Sequence, residues 1–127
     1  MISPKGKVLD IQVLNCIDEC PPEQWDTLFK SRYPFIQHRF LSLLESSGSV
    51  CADTGWEPKH LLIEQNGKPI AAMPMYLKQH SWGEYVFDHS WADAYYNHNL
   101  DYYPKLVTAI PFTPAIGPRL GIASGID

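Results

Sequence analysis

His60-Leu61-Leu62-Ile63-Glu64-Gln65, then Asn66-Gly67, then Lys68-Pro69-Ile70-Ala71-Ala72-Met73-Pro74-Met75-Tyr76-Leu77 is the stretch on which the fold turns. Two apolar runs flank a pair suited to the positive φ angles of a type I′ turn, so the segment predicts an antiparallel hairpin. Pro69 and Pro74 cannot donate to a ladder, which places them at unpaired or bulged positions of the second strand.

Outward from the hairpin, Val8 to Ile17 is rich in β-branched residues and reads as a first strand. Pro21-Pro22 stops it and opens a helix, with Glu23 near the positive end of the dipole and Trp25, Leu28 and Phe29 as the buried stripe. Pro34 is expected to break that helix. A second follows from Ile36 or Gln37, with Phe40, Leu43 and Leu44 on one face and Gly48 able to take the left-handed cap. Glu84 to Asp88 predicts a short strand, and Ser90 with Asp93 a helix start running from Trp91 to about His98. Lys105 to Ile110 fits either strand or helix, and Gly117 to Ile122 fits one last strand. These elements make an α+β chain, a mixed, mainly antiparallel sheet with helices packed on it, in a single domain spanning 1–127.

At 127 residues one core is expected, and folding should bury roughly 70% of the surface of the unfolded chain. Only 19% of residues are charged and 11 are proline. Against norms of about 25% charged and about 5% proline, that describes a globular chain with an unusually weakly charged surface, which suggests either a partner-covered face or a piece of something larger. A net charge of −4 without a Lys/Arg block lacks the footprint that nucleic acid requires. No apolar h-region follows Lys5 and Lys7, so no secretory signal is read, and no stretch reaches the ~20 apolar residues of a membrane span. A cytoplasmic location is the expectation. Cys16, Cys20 and Cys51 read as reduced thiols, and with no His near enough to complete four ligands no metal site is expected.

The chemistry concentrates in a polar and aromatic run, Gly83-Glu84-Tyr85-Val86-Phe87-Asp88, Ser90-Trp91-Ala92-Asp93-Ala94-Tyr95-Tyr96 and Tyr102-Tyr103-Pro104-Lys105-Leu106. Glu84, Asp88 and Asp93 are the candidate acids or bases, although turn or capping carboxylates would look the same. Trp91, Tyr95 and Tyr96, with Tyr102 and Tyr103, offer flat surfaces and hydroxyls to a ligand. Lys105 and Arg119 are the cations of the last quarter and suit a carboxylate or phosphate, or a plain salt bridge. The five histidines are scattered, which favours surface or capping roles. Neither a nucleophile elbow nor a Walker loop nor a dinucleotide fingerprint is present.

Several segments in order carry a resemblance: Thr54-Gly55-Trp56-Glu57-Pro58-Lys59-His60-Leu61-Leu62, Pro74-Met75-Tyr76-Leu77-Lys78, Ser81-Trp82-Gly83-Glu84-Tyr85-Val86-Phe87-Asp88, Trp91-Ala92-Asp93-Ala94-Tyr95, Tyr102-Tyr103-Pro104-Lys105-Leu106, Pro111-Phe112-Thr113-Pro114 and Gly117-Pro118-Arg119-Leu120. Over about Phe35 to Leu120 the chain resembles the amino-terminal part of a bacterial FemAB-like family, whose members resemble the GNAT (acyl-CoA N-acyltransferase) superfamily. The resemblance implies acyl or aminoacyl transfer to an amine, with acyl-CoA or aminoacyl-tRNA as donor. Members run to about three times this length, and the Gly-rich turn that holds a CoA diphosphate is not found here, so no cofactor is expected for this chain alone. The expected partner is the remainder of a longer protein, or a second copy at the open sheet edge after Arg119. The acceptor groove is expected near Glu84, Asp88, Trp91, Asp93 and Tyr95, with Lys105 and Arg119 at its rim, and no catalytic residue is carried over. A transferase fragment, a non-catalytic binding module and a short enzyme completed by dimerisation all fit.

Overall fold

Two turns and one proline direct the path of the chain through two antiparallel sheets. The computed structural model describes residues 8–30, 33–80, 84, 88–113 and 117–125. Strand β1 (Leu9–Leu14) leads through a 3-10 turn at Ile17–Glu19 into helix α1 (Pro22–Phe29), which the proline pair opens as expected. Helix α1 ends before Pro34, at Lys30, whose φ of 50° turns the chain away, and Pro34 instead opens a 3-10 turn. Helix α2 (His38–Ser46) follows, and Gly48, at φ 80°, closes it in the left-handed region.

The hairpin forms from β3 (His60–Gln65) and β4 (Lys68–Met73), with Asn66 at φ 53° and Gly67 at φ 80°. Both positive angles are those of a type I′ turn. Leu62 lies opposite Ala72 and Gln65 opposite Lys68, and the register shifts at Ile63/Glu64, placing Pro69 opposite Glu64. The second strand does not run unbroken to Leu77. Pro74 has no N–H for the ladder, so the chain leaves the sheet at Met73 and joins another as β5 (Tyr76–Lys78), which pairs with β2 (Glu57–Pro58) and β6 (Lys105–Val107). The last strand, β7 (Gly121–Ile122), returns to β4, giving one sheet of order β1-β3-β4-β7 and another of order β2-β5-β6.

Helix α3 (His89–Asn97) starts ahead of the expected position. Asp88 holds the N-cap position without making a side-chain cap bond, and Ser90 falls inside the first turn. The strand expected over Glu84 to Asp88 lies largely outside the described residues.

Among the described residues, the buried apolar side chains form two clusters. Leu14, Ile17, Trp25, Leu28, Phe29, Ile36, Leu41, Leu62 and Ala72 fill the space between the helices and the larger sheet, where Trp25 Nε1 donates to the Ile36 carbonyl at 2.9 Å. Val50, Trp56 and Tyr76 form the smaller cluster. His60 lies between them, its ring 5.8 Å from Trp25 and 5.0 Å from Tyr76. Met75 N–H donates to His60 Nδ1 at 3.2 Å, so Nε2 carries the ring proton and donates to Glu45 Oε2 at 2.9 Å. Glu45 Oε1 in turn accepts from Ile17 N–H. His38 is buried as well, with Nε2 donating to the Ile17 carbonyl. Of the surface or capping roles expected for these two histidines, the surface role is corrected: both are buried and bond backbone groups, Ile17 C=O and Met75 N–H. On the sheet face away from this core, Ile11, Val13, Leu61, Ile63, Ala71, Met73 and Ile122 share one side, all half-buried or exposed.

Candidate functional site

The smaller sheet sets Lys78 on β5 directly opposite Lys105 on β6. Like charges facing each other across an antiparallel pair are destabilising, so the arrangement needs acids to hold it. Glu84 supplies one carboxylate to both cations, with Oε1 at 3.0 Å from Lys105 Nζ and Oε2 at 3.2 Å from Lys78 Nζ. Asp88 supplies the second. Its Oδ2 lies 2.5 Å from Lys105 Nζ and accepts the Tyr102 hydroxyl at 2.7 Å, while Oδ1 accepts the Tyr103 hydroxyl at 2.6 Å. Three donors on one carboxylate explain why Asp88, although at a helix start, does not cap it.

The four charged groups are well shielded. Side-chain exposure is 0% for Lys78, 11% for Glu84, 15% for Asp88 and 17% for Lys105. Lys78 Nζ sits 3.7 Å from the centre of the Trp56 ring, a cation–π contact, and Trp56 is itself packed by Tyr76 and Phe112. Burial pushes the Lys78 ammonium below the ordinary lysine range, against the pull of Glu84. Burial acts on Lys105 in the same direction, but its hydrogen bonds to Asp88 and Glu84 prevail and raise it. Tyr102 is raised because its hydroxyl donates to Asp88. The two lysines of one cluster are thus driven apart in proton affinity.

Of the residues expected at the site, Glu84, Asp88 and Lys105 come together. Tyr95 reaches them through its ring, 5.1 Å from that of Tyr102 and edge-on. Trp91, one helical turn before Tyr95, is 66% exposed, and Asp93 is an exposed residue of the same helix. Arg119 belongs to the stretch leading into β7 of the other sheet, where Nη1 donates to the carbonyls of Gly117 and Pro118. Lys78 was missing from the expected set. Its signal was period-2 alternation: Tyr76 and Lys78 share the buried face of one strand, and a lysine at an inward position calls for a partner. Tyr102 and Tyr103, expected as ligand-facing rings, turn out to be carboxylate donors.

A family model described as FemAB-like, peptidoglycan biosynthesis/recognition, matches residues 16–127. The chain belongs to the FemAB-like family. No curated protein and no solved structure gave a significant match. In this FemAB-like chain the described helix starts do not fit the diphosphate of an acyl-CoA. Pro21 and Pro22 remove donors from α1 and Glu23 adds negative charge, the His38 N–H at the start of α2 is taken by Asp26, and α3 opens on Asp88. Among the described residues there is no cluster of metal-ligating side chains and no helix long and apolar enough to cross a membrane.

Proposed function

We propose that this FemAB-like chain recognises the free amine of a peptidoglycan component, on the acceptor side of an acyl- or aminoacyl-transfer reaction. The observation that supports it most is that Glu84 and Asp88 gather primary ammonium groups, with two phenols beside them, on a rim that Tyr95 and Trp91 extend to the surface. A substrate amine arriving over those rings meets the chemistry that already holds Lys105. The carboxylates orient it and take its proton, leaving the lone pair for attack on an activated carbonyl. Titration with soluble peptidoglycan fragments tests this. Fragments with a free side-chain amine should bind at least tenfold more tightly than their N-acetylated forms, and Asp88→Asn should erase the preference. Equal affinity for both forms would rule the reading out.

The second reading is recognition without transfer, favoured by helix starts that do not suit a diphosphate. Incubation with acyl-CoA or aminoacyl-tRNA donors and a bound amine fragment separates the two, since recognition alone leaves the fragment unmodified.

A further inference from the structure

Among the described elements, strand β1 is an edge of the four-stranded sheet, and it carries few of the usual guards of such an edge, Asp10 being its one charge. Leu9-Asp10-Ile11-Gln12-Val13-Leu14 contains no proline or lysine, and its register with β3 runs without a bulge. Ile11 is 57% and Val13 51% exposed. The Val8 carbonyl accepts from Asn66 N–H on the β3 side. Backbone groups alternate along a strand, so Gln12 and Leu14 also face β3, while the N–H and C=O groups of Leu9, Ile11 and Val13 point outward.

We propose that β1 pairs with β1 of a second copy of this chain, antiparallel and centred on Ile11, to give a continuous eight-stranded sheet about a twofold axis. That register is self-complementary at three levels. The outward residues meet outward residues, Ile11 opposite Ile11 and Leu9 opposite Val13, so every free backbone donor finds an acceptor. The side chains of those pairs all lie on the apolar face and extend it across the axis. On the other face Asp10 falls opposite Gln12 of the second copy rather than opposite a like charge. Gln12 Nε2 already donates to Glu64 Oε1 at 2.6 Å and has a second N–H for that Asp10, which in its own chain lies opposite Glu64. A register centred on Gln12 would instead set Asp10 against Leu14. The pairing is independent of the amine-binding reading, and it uses the edge opposite to the one after Arg119.

Sedimentation velocity over a concentration series should show monomer and dimer with no larger species, because a twofold contact closes. Ile11→Pro removes an outward N–H and leaves the ladder to β3 intact, so it should weaken the dimer at least tenfold with the far-ultraviolet circular dichroism unchanged. If that variant misfolds, Ile11→Lys sets two ammonium groups at the axis and should weaken the dimer equally. In a Cys16→Ser, Cys51→Ser background, Ile11→Cys should form a disulfide-linked dimer and Asp10→Cys should not, since directly opposed Cα atoms of a hydrogen-bonded pair lie about 5.5 Å apart. A monomer at every concentration, a dimer indifferent to both Ile11 substitutions, or an open ladder of oligomers would each overturn the proposal.

Discussion

The two sheets use their interiors differently. Against the larger one, Trp25, Leu28, Phe29, Ile36 and Leu41 exclude water, and His38 there serves the Ile17 carbonyl. The smaller one joins two lysines, two carboxylates and two phenols in one cluster, with Lys78 over the Trp56 ring. Charges held so far from water lose hydration that their mutual attraction only partly restores, so such a cluster adds little to stability for its size. Under the proposed function, chemistry rather than cohesion selected the residues of the smaller sheet.

The contrast is broken most severely from the cohesive side. Trp25→Ala removes a fully buried indole and its bond to Ile36, and should cost about 3 to 5 kcal/mol in denaturant unfolding, lowering both regions together. Asp88→Asn keeps the shape and deprives two hydroxyls and Lys105 of a charged acceptor. The expected loss is on the order of 2 kcal/mol, alongside the lost amine preference.

Raising the pH sharpens the same comparison. Tyr102 and Lys105 both hold their protons more tightly folded than unfolded, where the ordinary values are 10.0 and 10.5. Their contribution is therefore complete below pH 10 and fades as the pH climbs through the raised folded values. The melting-temperature gap between the native protein and Asp88→Asn should narrow as the pH is raised from neutral into the alkaline range. Lys78 is lowered by burial, but Asp88 also favours its ammonium, so this part of the gap fades with rising pH in the same direction and begins to do so first. The smallest effect belongs to the rim. Trp91→Ala should change stability by under about 0.5 kcal/mol, because the ring is mostly in solvent, while weakening peptidoglycan-fragment binding several-fold.

What the sequence made legible was whatever local chemistry decides alone. Asn66-Gly67 fixed the hairpin because few other pairs take two positive φ angles cheaply, and Pro21-Pro22 fixed the start of α1 because a proline tolerates only the first turn of a helix. Glu84, Asp88 and Lys105 were found as a group because polar and aromatic residues crowd one stretch. What it hid depended on distant partners. Pro74 could mark a bulge or an exit, and only the pairing of β5 with β6 shows that it is an exit. Asp88 looked like a capping residue until Tyr102 and Tyr103 reached it from 14 and 15 positions away. Arg119 stood close in sequence to Lys105, yet it follows the chain back to the other sheet.

The passage through Pro74 and Met75 has a practical meaning. Those two residues carry the chain from one sheet to the other in a single step, Pro74 is buried, and the amide of Met75 is tied to His60. A protease would find no loop to nick there, and a split-protein design that cut at this point would expose both severed ends to water inside a shared seam. Dissecting the molecule into two independently folding pieces calls for a boundary elsewhere, and the hairpin and the lysine cluster should travel together in any engineered fragment.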